Sequence, residues 1–183
     1  MRAFLARFLD NRIDETSLKI VNLSAPIWAA GMSMQTDMRR VYRDVPRLGK
    51  RYRVYKEHHE VPDRKDPWAF VAVSRQFNQE TGTFIYAIGD VVTSLANLPL
   101  GLEAIEIPAM TYAALPVRPK NKFAWGFAIA SVKRFAYETW LPNSMYQPGR
   151  VIDDFELHDE RSTRAKSPEI DLYVCVAPRK TEN

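Results

Sequence analysis

Two stretches of the chain carry apolar residues at the spacing of a helix. The first stripe comprises Val41, Val45, Leu48, Tyr52 and Tyr55. Thr36 or Asp37 is placed to cap this helix, and Pro46 is expected to interrupt or restart it. The second stripe comprises Trp125, Ala128, Ile129, Val132, Phe135, Ala136, Thr139 and Trp140. Intervals of three and four residues put each set on one face of a helix, and Pro142 predicts the end of the second helix.

Strand patterns fill most of the remaining chain. The predicted strands are 17–35, 67–77, 82–92, 102–117, 153–160 and 169–177. Alternation of apolar and polar residues supports them, and an irregularity is expected near Pro26. The segments 57–66 and 143–151 are polar or rich in proline and glycine, so they are expected to be loops.

The order of elements repeats along the chain. Strand, helix, strand and strand occur once in 17–96 and again in 97–179, after a lead-in at 1–16. Each half can cover one sheet face with one helix, and two such halves can join edge to edge. We therefore expect one α+β domain, in which duplicated β-α-β-β halves form a single curved antiparallel sheet. Both helices should lie on one face, and the groove at the pseudo-twofold axis is a natural ligand site.

The basic charge of the chain is concentrated in the first helix. The chain has 183 residues, a net charge of +4 and a pI of about 9.2. The clustered cations are Arg39, Arg40, Arg43, Arg47, Lys50, Arg51, Arg53 and Lys56. Because apolar residues fall between them at helical spacing, a solvated helix face is favoured over a nucleic-acid patch.

The sequence predicts a cytoplasmic protein. Cys175 is the single cysteine, so no intramolecular disulfide can form. No signal peptide is recognisable. The longest nearly apolar run, 123–132, is far shorter than the ~20 residues that span a bilayer. We expect no membrane association, and residues 1–16 leave no room for a helix-turn-helix before the domain.

Several motifs in order resemble the GyrI-like effector-binding family, which includes the drug-binding domains of BmrR-type and Rob-type transcription regulators. They are GTFIYAIGDVV (82–92), IEIPAMTYAAL (105–115), YETWLPNSMYQ (137–147), DDFELHDE (153–160) and EIDLYVCVAPR (169–179). The resemblance covers 17–179. It implies the same duplicated fold and a pocket for small, often lipophilic and cationic ligands.

The resemblance places the family's central acid at Glu156. Phe155 and Leu157 point to one face of their strand, while Glu156 and His158 point to the other. His158 stands where the family often has tyrosine. A carboxylate in an aromatic-lined pocket is costly to desolvate unless a partner such as an organic cation is bound, and aromatic rings add cation–π attraction.

The other candidate ligand-binding residues are aromatic, together with one further acid. They are Tyr86, Tyr112, Tyr146, Trp68, Phe123 and Glu169. The tyrosines are favoured because a phenol combines an apolar ring with a polar group. We expect no metal, since His58 and His59 lack a second ligand cluster. We also expect no cofactor.

Three further functions stay open at this point. Some GyrI-like proteins hydrolyse reactive cyclopropane-containing compounds, and Glu156 could serve as the general base of such a reaction. A gyrase-inhibitor-like protein would instead use the basic helix, through Arg43, Arg47 and Arg51, to bind an acidic partner. If the protein is instead a lone effector domain, its possible partner is a transcription regulator. Haem carriage, by analogy with the similarly folded SOUL proteins, is the remotest alternative.

Overall fold

The computed structural model describes residues 17–121, 124–164 and 166–179. Phe123, a candidate ligand residue, lies outside the described residues. The strands are β1 Lys19–Asn22, β2 Ile27–Asp37, β3 Phe70–Arg75, β4 Thr83–Val92, β5 Glu103–Ile107, β6 Thr111–Val117, β7 Tyr146–Pro148, β8 Asp154–His158 and β9 Ile170–Pro178. The α-helices are α1 Val41–His58 and α2 Trp125–Arg134.

Eight of these strands form one antiparallel path in the order β1-β6-β9-β8-β3-β4-β2-β5, and β7 pairs with β9 beside it. The halves meet where β3 pairs with β8, with Ala72 opposite Glu156. On either side of this seam the order is the same, β3-β4-β2 in one half and β8-β9-β6 in the other. The predicted duplicated α+β fold with one curved sheet is confirmed.

The two halves also exchange their first short strands. β1 precedes the first half but pairs with β6 of the second, and β5 precedes the second half but pairs with β2 of the first. The predicted strands 17–35 and 102–117 are therefore each broken in two, near Pro26 and near Pro108. Proline lacks the N–H group that a continuous ladder needs, so the chain leaves one partner strand there and joins another.

Both helices pack on the same face of the sheet. α1 covers Met32, Phe84 and Ile88, while α2 covers Leu115 and Leu172. The opposite face is also buried, because the curved sheet folds over a second apolar cluster. That cluster contains Val71, Val73, Ile105, Ile107, Tyr112, Phe155 and Cys175. A side chain's parity along its strand thus decides whether it faces the helices or this second core.

α1 confirms the predicted apolar stripe, since Leu48 and Tyr52 are buried. Asp37 caps the turn before the helix, as its Oδ1 accepts hydrogen bonds from the amides of Arg39 and Arg40 at 2.8 and 2.9 Å. The expected interruption at Pro46 is wrong, because the helix is continuous through it. Pro46 is exposed, so water can bond the carbonyl group that loses its helical partner.

The second predicted stripe is confirmed except at Thr139, since its other residues pack in one apolar cluster. Residues Phe135–Trp140 form a π-helical turn, and Leu141–Asn143 form a 3₁₀ turn. The wider π turn rotates the following side chains, so Thr139 is exposed and Leu141 is buried. The predicted loop 143–151 is also corrected, because it contains β7. No helix in the described parts of the chain is long and apolar enough to cross a membrane.

We expect Gly31→Ala to destabilise the protein by more than 1 kcal/mol, as overpacking does. Gly31 lies opposite Gly89 where β2 and β4 approach closely, and a Cβ at Gly31 would overlap the carbonyl oxygen of Ile88. Gly49→Ala in α1 is the matched control, because a Cβ there has no atom within 4 Å. Alanine should stabilise that helix by about 0.5–1 kcal/mol. Urea unfolding measures the stability of both variants. Equal changes in stability would show that β2 and β4 do not approach closely at Gly31.

Candidate functional site

Glu156 lies at the seam between the halves, on the face that carries both helices. It is opposite Ala72 of β3 on one side and Leu172 of β9 on the other. Only 4% of its surface is exposed. Phe155 lies in the core of the other face, as strand alternation predicts. The acid therefore forms part of the floor between α1 and α2.

Lys133 of α2 reaches down to this floor. Its Nζ lies 2.8 Å from Asp154 Oδ1 and 3.3 Å from Glu156 Oε1. The same ammonium donates to Ser74 Oγ of β3 at 3.3 Å. One lysine thus joins two buried carboxylates of β8 to the neighbouring half of the sheet.

The π-helical turn brings Tyr137 to the same cluster. Its hydroxyl lies within hydrogen-bond distance of Asp154 Oδ2 at 3.0 Å and the carbonyl oxygen of Asp153 at 3.1 Å. Burial, followed by the negative charge of Asp154, raises the pKa of Tyr137 well above its ordinary value. The phenol therefore stays protonated and acts as a donor. π-Helical turns often occur at functional sites, and here the turn positions a side chain against a buried acid.

The two charged partners shift each other's pKa in opposite directions. Burial alone would raise the pKa of Glu156, but the attraction of Lys133 and the contact with His158 outweigh it, so the pKa is lowered. Burial alone would lower the pKa of Lys133, but Asp154 and Glu156 outweigh it, so the pKa is raised. Glu156 and Lys133 are therefore both charged at neutral pH.

Aromatic side chains also lie near this cluster on the helix-bearing face. The His158 ring lies 5.5 Å from the Phe70 ring and 5.9 Å from the Trp125 ring, between centroids. Its Nε2 is 4.0 Å from Glu156 Oε2. Tyr86 is buried on the same face, in register with Ser74 and therefore with Asp154. The floor thus combines two carboxylates with rings contributed by β3, β4, β8 and α2.

The structure brings Tyr86 and His158 to Glu156 but places the other described candidates elsewhere. Tyr112 is fully buried in the core of the opposite face, where its ring contacts Phe155. Tyr146 lies in β7 and stacks on Trp140 of the π-helical turn. Trp68 is 40% exposed in the turn before β3.

Glu169 also lies away from Glu156, in a cluster of ion pairs. It bonds Arg118 and lies 2.7 Å from Arg161 Nη1. Arg161 also binds Asp159 and Asp171. Since Asp171 pairs with Leu157 across β8 and β9, this cluster belongs to the helix-free face. Two arginines pair with its three acids and link the segment after β8 to the ends of β6 and β9.

Sequence reasoning missed Lys133, Asp154 and Tyr137. Lys133 follows Ile129 by four residues on the apolar stripe of α2, which is an unusual place for a lysine. Asp154 shares the strand parity of Glu156. These two signals were available in the sequence. Tyr137 had no such signal, because its orientation depends on the π turn.

A cleft of about 670 Å³ lies elsewhere, at the end of α1. Its lining residues are Lys56, Glu57, His58, His59, Glu60, Val61, Asp63 and Arg64. Lys56 and Arg64 are both paired with the buried Asp90. An open cleft of charged side chains suits a lipophilic ligand poorly. Among the described residues, no group of three or more metal-ligating side chains could hold a metal ion.

The family model for the integron-associated effector binding protein Cass2 matches residues 19–176. The chain belongs to this family. The fold and the family together confirm the expected GyrI-like effector-binding domain. No curated protein sequence matches the chain.

Several solved structures share this fold. The integron cassette protein VCH_CASS2 of Vibrio cholerae is 12% identical with a TM-score of 0.59, over 88% of this chain and 96% of that chain. A bacterial transcription regulation protein of Staphylococcus aureus MU50 is 13% identical with a TM-score of 0.58, over 87% and 95%. SAV2435 bound to tetraphenylphosphonium is 11% identical with a TM-score of 0.61, over 87% and 93%. At such identities the likeness shows the fold alone.

We expect Lys133→Met to reverse the pH dependence that Glu156 contributes to stability. In the natural chain the pKa of Glu156 is lowered. Its contribution is therefore present above the ordinary value of 4.5 and is lost as the pH falls through the lowered pKa. Without Lys133, burial dominates and raises that pKa. The contribution is then present below 4.5 and is lost as the pH rises through the raised value.

Urea unfolding at a series of pH values between about 4 and 7 measures this difference. The variant should lose stability as the pH rises over this range, whereas the natural chain should not. Lys50→Met, which removes an exposed lysine of α1, is the control and should follow the natural profile. Parallel profiles for Lys133→Met and the natural chain would show that Lys133 does not control the ionisation of Glu156.

Proposed function

We propose that this protein binds small lipophilic cations between α1 and α2, at Glu156. The observation that carries the proposal is the composition of the floor. Asp154 and Glu156 are 4% exposed, and Lys133 is the cation that lies between them. The ligand's positive charge would lie near Glu156 and its apolar groups against the surrounding rings.

The charge balance of the floor supports a cationic ligand. Two carboxylates face one ammonium, which leaves an excess of one negative charge when His158 is neutral. A buried charge without a partner is costly, and an organic cation can supply the missing partner without a large hydration penalty of its own. The same excess negative charge would repel an anionic ligand.

The walls support a lipophilic ligand. Phe70 and Trp125 are partly exposed, and the ring of each lies within 6 Å of the His158 ring, between centroids. Aromatic rings attract a cation placed over their faces by about 0.5 kcal/mol at exposed sites and about 2 kcal/mol when water is excluded. The complex of SAV2435 with tetraphenylphosphonium supports the same ligand class, because that protein shares this fold.

The geometry favours binding over hydrolysis. A general base for water should have a pKa raised toward neutrality, as burial without a counter-charge would produce. The pKa of Glu156 is instead lowered, and its Oε1 is occupied by Lys133. In this proposal the protein either sequesters its ligand or passes the bound state to a partner such as a transcription regulator.

Tetraphenylphosphonium is the probe that tests the proposal. We expect it to raise the melting temperature of the natural chain by several degrees at about 100 times its dissociation constant, which corresponds to about 2.7 kcal/mol. Glu156→Gln should weaken binding, since it removes a counter-charge. Lys133→Met should strengthen binding at a pH above the raised pKa of Glu156, where the acid is ionised, since it removes the built-in competitor. Isothermal titration calorimetry of the three proteins measures these opposite changes.

Two controls distinguish binding at Glu156 from a general attraction between the ligand and the charge of the protein. Glu106→Gln removes an exposed acid from β5 and should leave the affinity unchanged. Tetraphenylborate, an anion of similar shape, should bind weakly or not at all. Equal affinity of the natural chain and Glu156→Gln for tetraphenylphosphonium would refute the role of Glu156. Equal binding of the cation and the anion would refute charge recognition altogether.

A further inference from the structure

β2 has an open edge over the second half of its length. On its inner side it pairs with β4 from Trp28 to Asp37. On its outer side β5 pairs only as far as Gly31, opposite Glu103. The chain before β5 turns away at Gly101, whose φ is +91°. From Met32 to Asp37 the outer side of β2 therefore has no strand partner among the residues that the structure describes.

Alternate residues of this stretch direct their amide and carbonyl groups outward, where a further strand could pair with them. The stretch is accessible, since Gln35 is exposed and Ser33 and Met34 are half-buried. An open edge of this kind is the template that extended peptides use when they add a strand to a sheet.

The helix-free face beside this edge contains a cleft of about 300 Å³. Ser33 and Gln35 of β2 line it, together with Ile85 of β4. Side chains of an added strand that point to this face would enter the cleft and meet Ile85, so an apolar side chain fits there.

The helix-bearing face above the same edge is basic. Thr36 Oγ1 donates to Asp44 Oδ2 at 2.9 Å, and Arg51 Nε lies 3.3 Å from Met32 Sδ. These contacts show which flank of α1 lies over β2. Helical spacing puts Arg47 on that flank between Asp44 and Arg51, and both arginines are exposed. Side chains of an added strand that point to this face would meet two guanidinium groups.

We infer that the β2 edge, Met32–Asp37, binds an extended acidic segment of a partner protein as an additional strand. Backbone groups of β2 would hold the segment, Arg47 and Arg51 would pair with its acidic side chains on one face, and the cleft would take its apolar side chains on the other. Two copies of this chain paired through β2 would bring their own arginines together. That repulsion favours an acidic partner over a second copy.

The probe is a short synthetic peptide that alternates glutamate with leucine, added to the full ¹⁵N-labelled chain. Binding should change the amide resonances of Met32–Asp37. The double variant Arg47→Glu, Arg51→Glu should weaken binding about tenfold or more, because it turns attraction into repulsion. Arg53→Glu reverses a charge on the other flank of α1 and should weaken binding less.

Backbone pairing is tested on the peptide, which avoids any loss of folding in the protein. N-methylation at alternate residues blocks one hydrogen-bonding side of the peptide at a time. One of the two methylation patterns should abolish binding, and the other should not. A peptide that alternates lysine with leucine should not bind.

Other outcomes would overturn the inference. Equal binding of both N-methylated peptides would mean that charge alone holds them. Resonance changes centred on Glu156 would place the peptide at the proposed ligand site. Tighter binding of an oligonucleotide than of the acidic peptide to Arg47 and Arg51 would identify a nucleic-acid surface. Dimerisation through Met32–Asp37 in analytical ultracentrifugation would identify a second copy as the partner.

Discussion

The ion cluster at the seam between the halves is the constraint on which the candidate site depends. Asp154 and Glu156 occupy alternate positions of a central strand, where both would be costly to bury alone. Lys133 lies between them, reaching over from α2, and bonds Ser74 of the other half. Removing one partner of such a buried pair typically costs about 3–5 kcal/mol. The cluster therefore ties the position of α2 to the strand that carries the acids.

The π-helical turn is the local distortion that completes this arrangement. It follows α2 directly and rotates Tyr137 toward Asp154. A regular helix would have kept Thr139 on the apolar stripe, whereas in the structure it is exposed. The helix is therefore irregular at the point where Tyr137 contacts the buried Asp154. The π turn is followed by the 3₁₀ turn Leu141–Asn143 and then by β7, which pairs with β9.

The two faces of the sheet serve different purposes. The helix-free face is packed with rings such as Tyr112 and Phe155, and it stabilises the curvature of the sheet. On the helix-bearing face, the buried acids Asp154 and Glu156 lie near the partly exposed rings of Phe70 and Trp125. Side chains alternate between the two faces of a strand. Tyr112 therefore packs in the helix-free core, while Tyr86 lies on the helix-bearing face beside the acids.

The sequence by itself determined the duplicated order of elements, the two helix stripes and the face of β8 on which Glu156 lies. These features follow from local periodicity, which any strand or helix must satisfy. It also contained the signals for Lys133 and Asp154, as a lysine within an apolar stripe and an acid of the same parity as Glu156. Only the tertiary structure decided which strands pair after Pro26 and Pro108, and that Tyr112 and Glu169 lie away from Glu156. The tertiary structure also decided the π turn and the contacts of Lys133 with Asp154 and Glu156. Those outcomes depend on contacts between residues distant in sequence, which local periodicity does not encode.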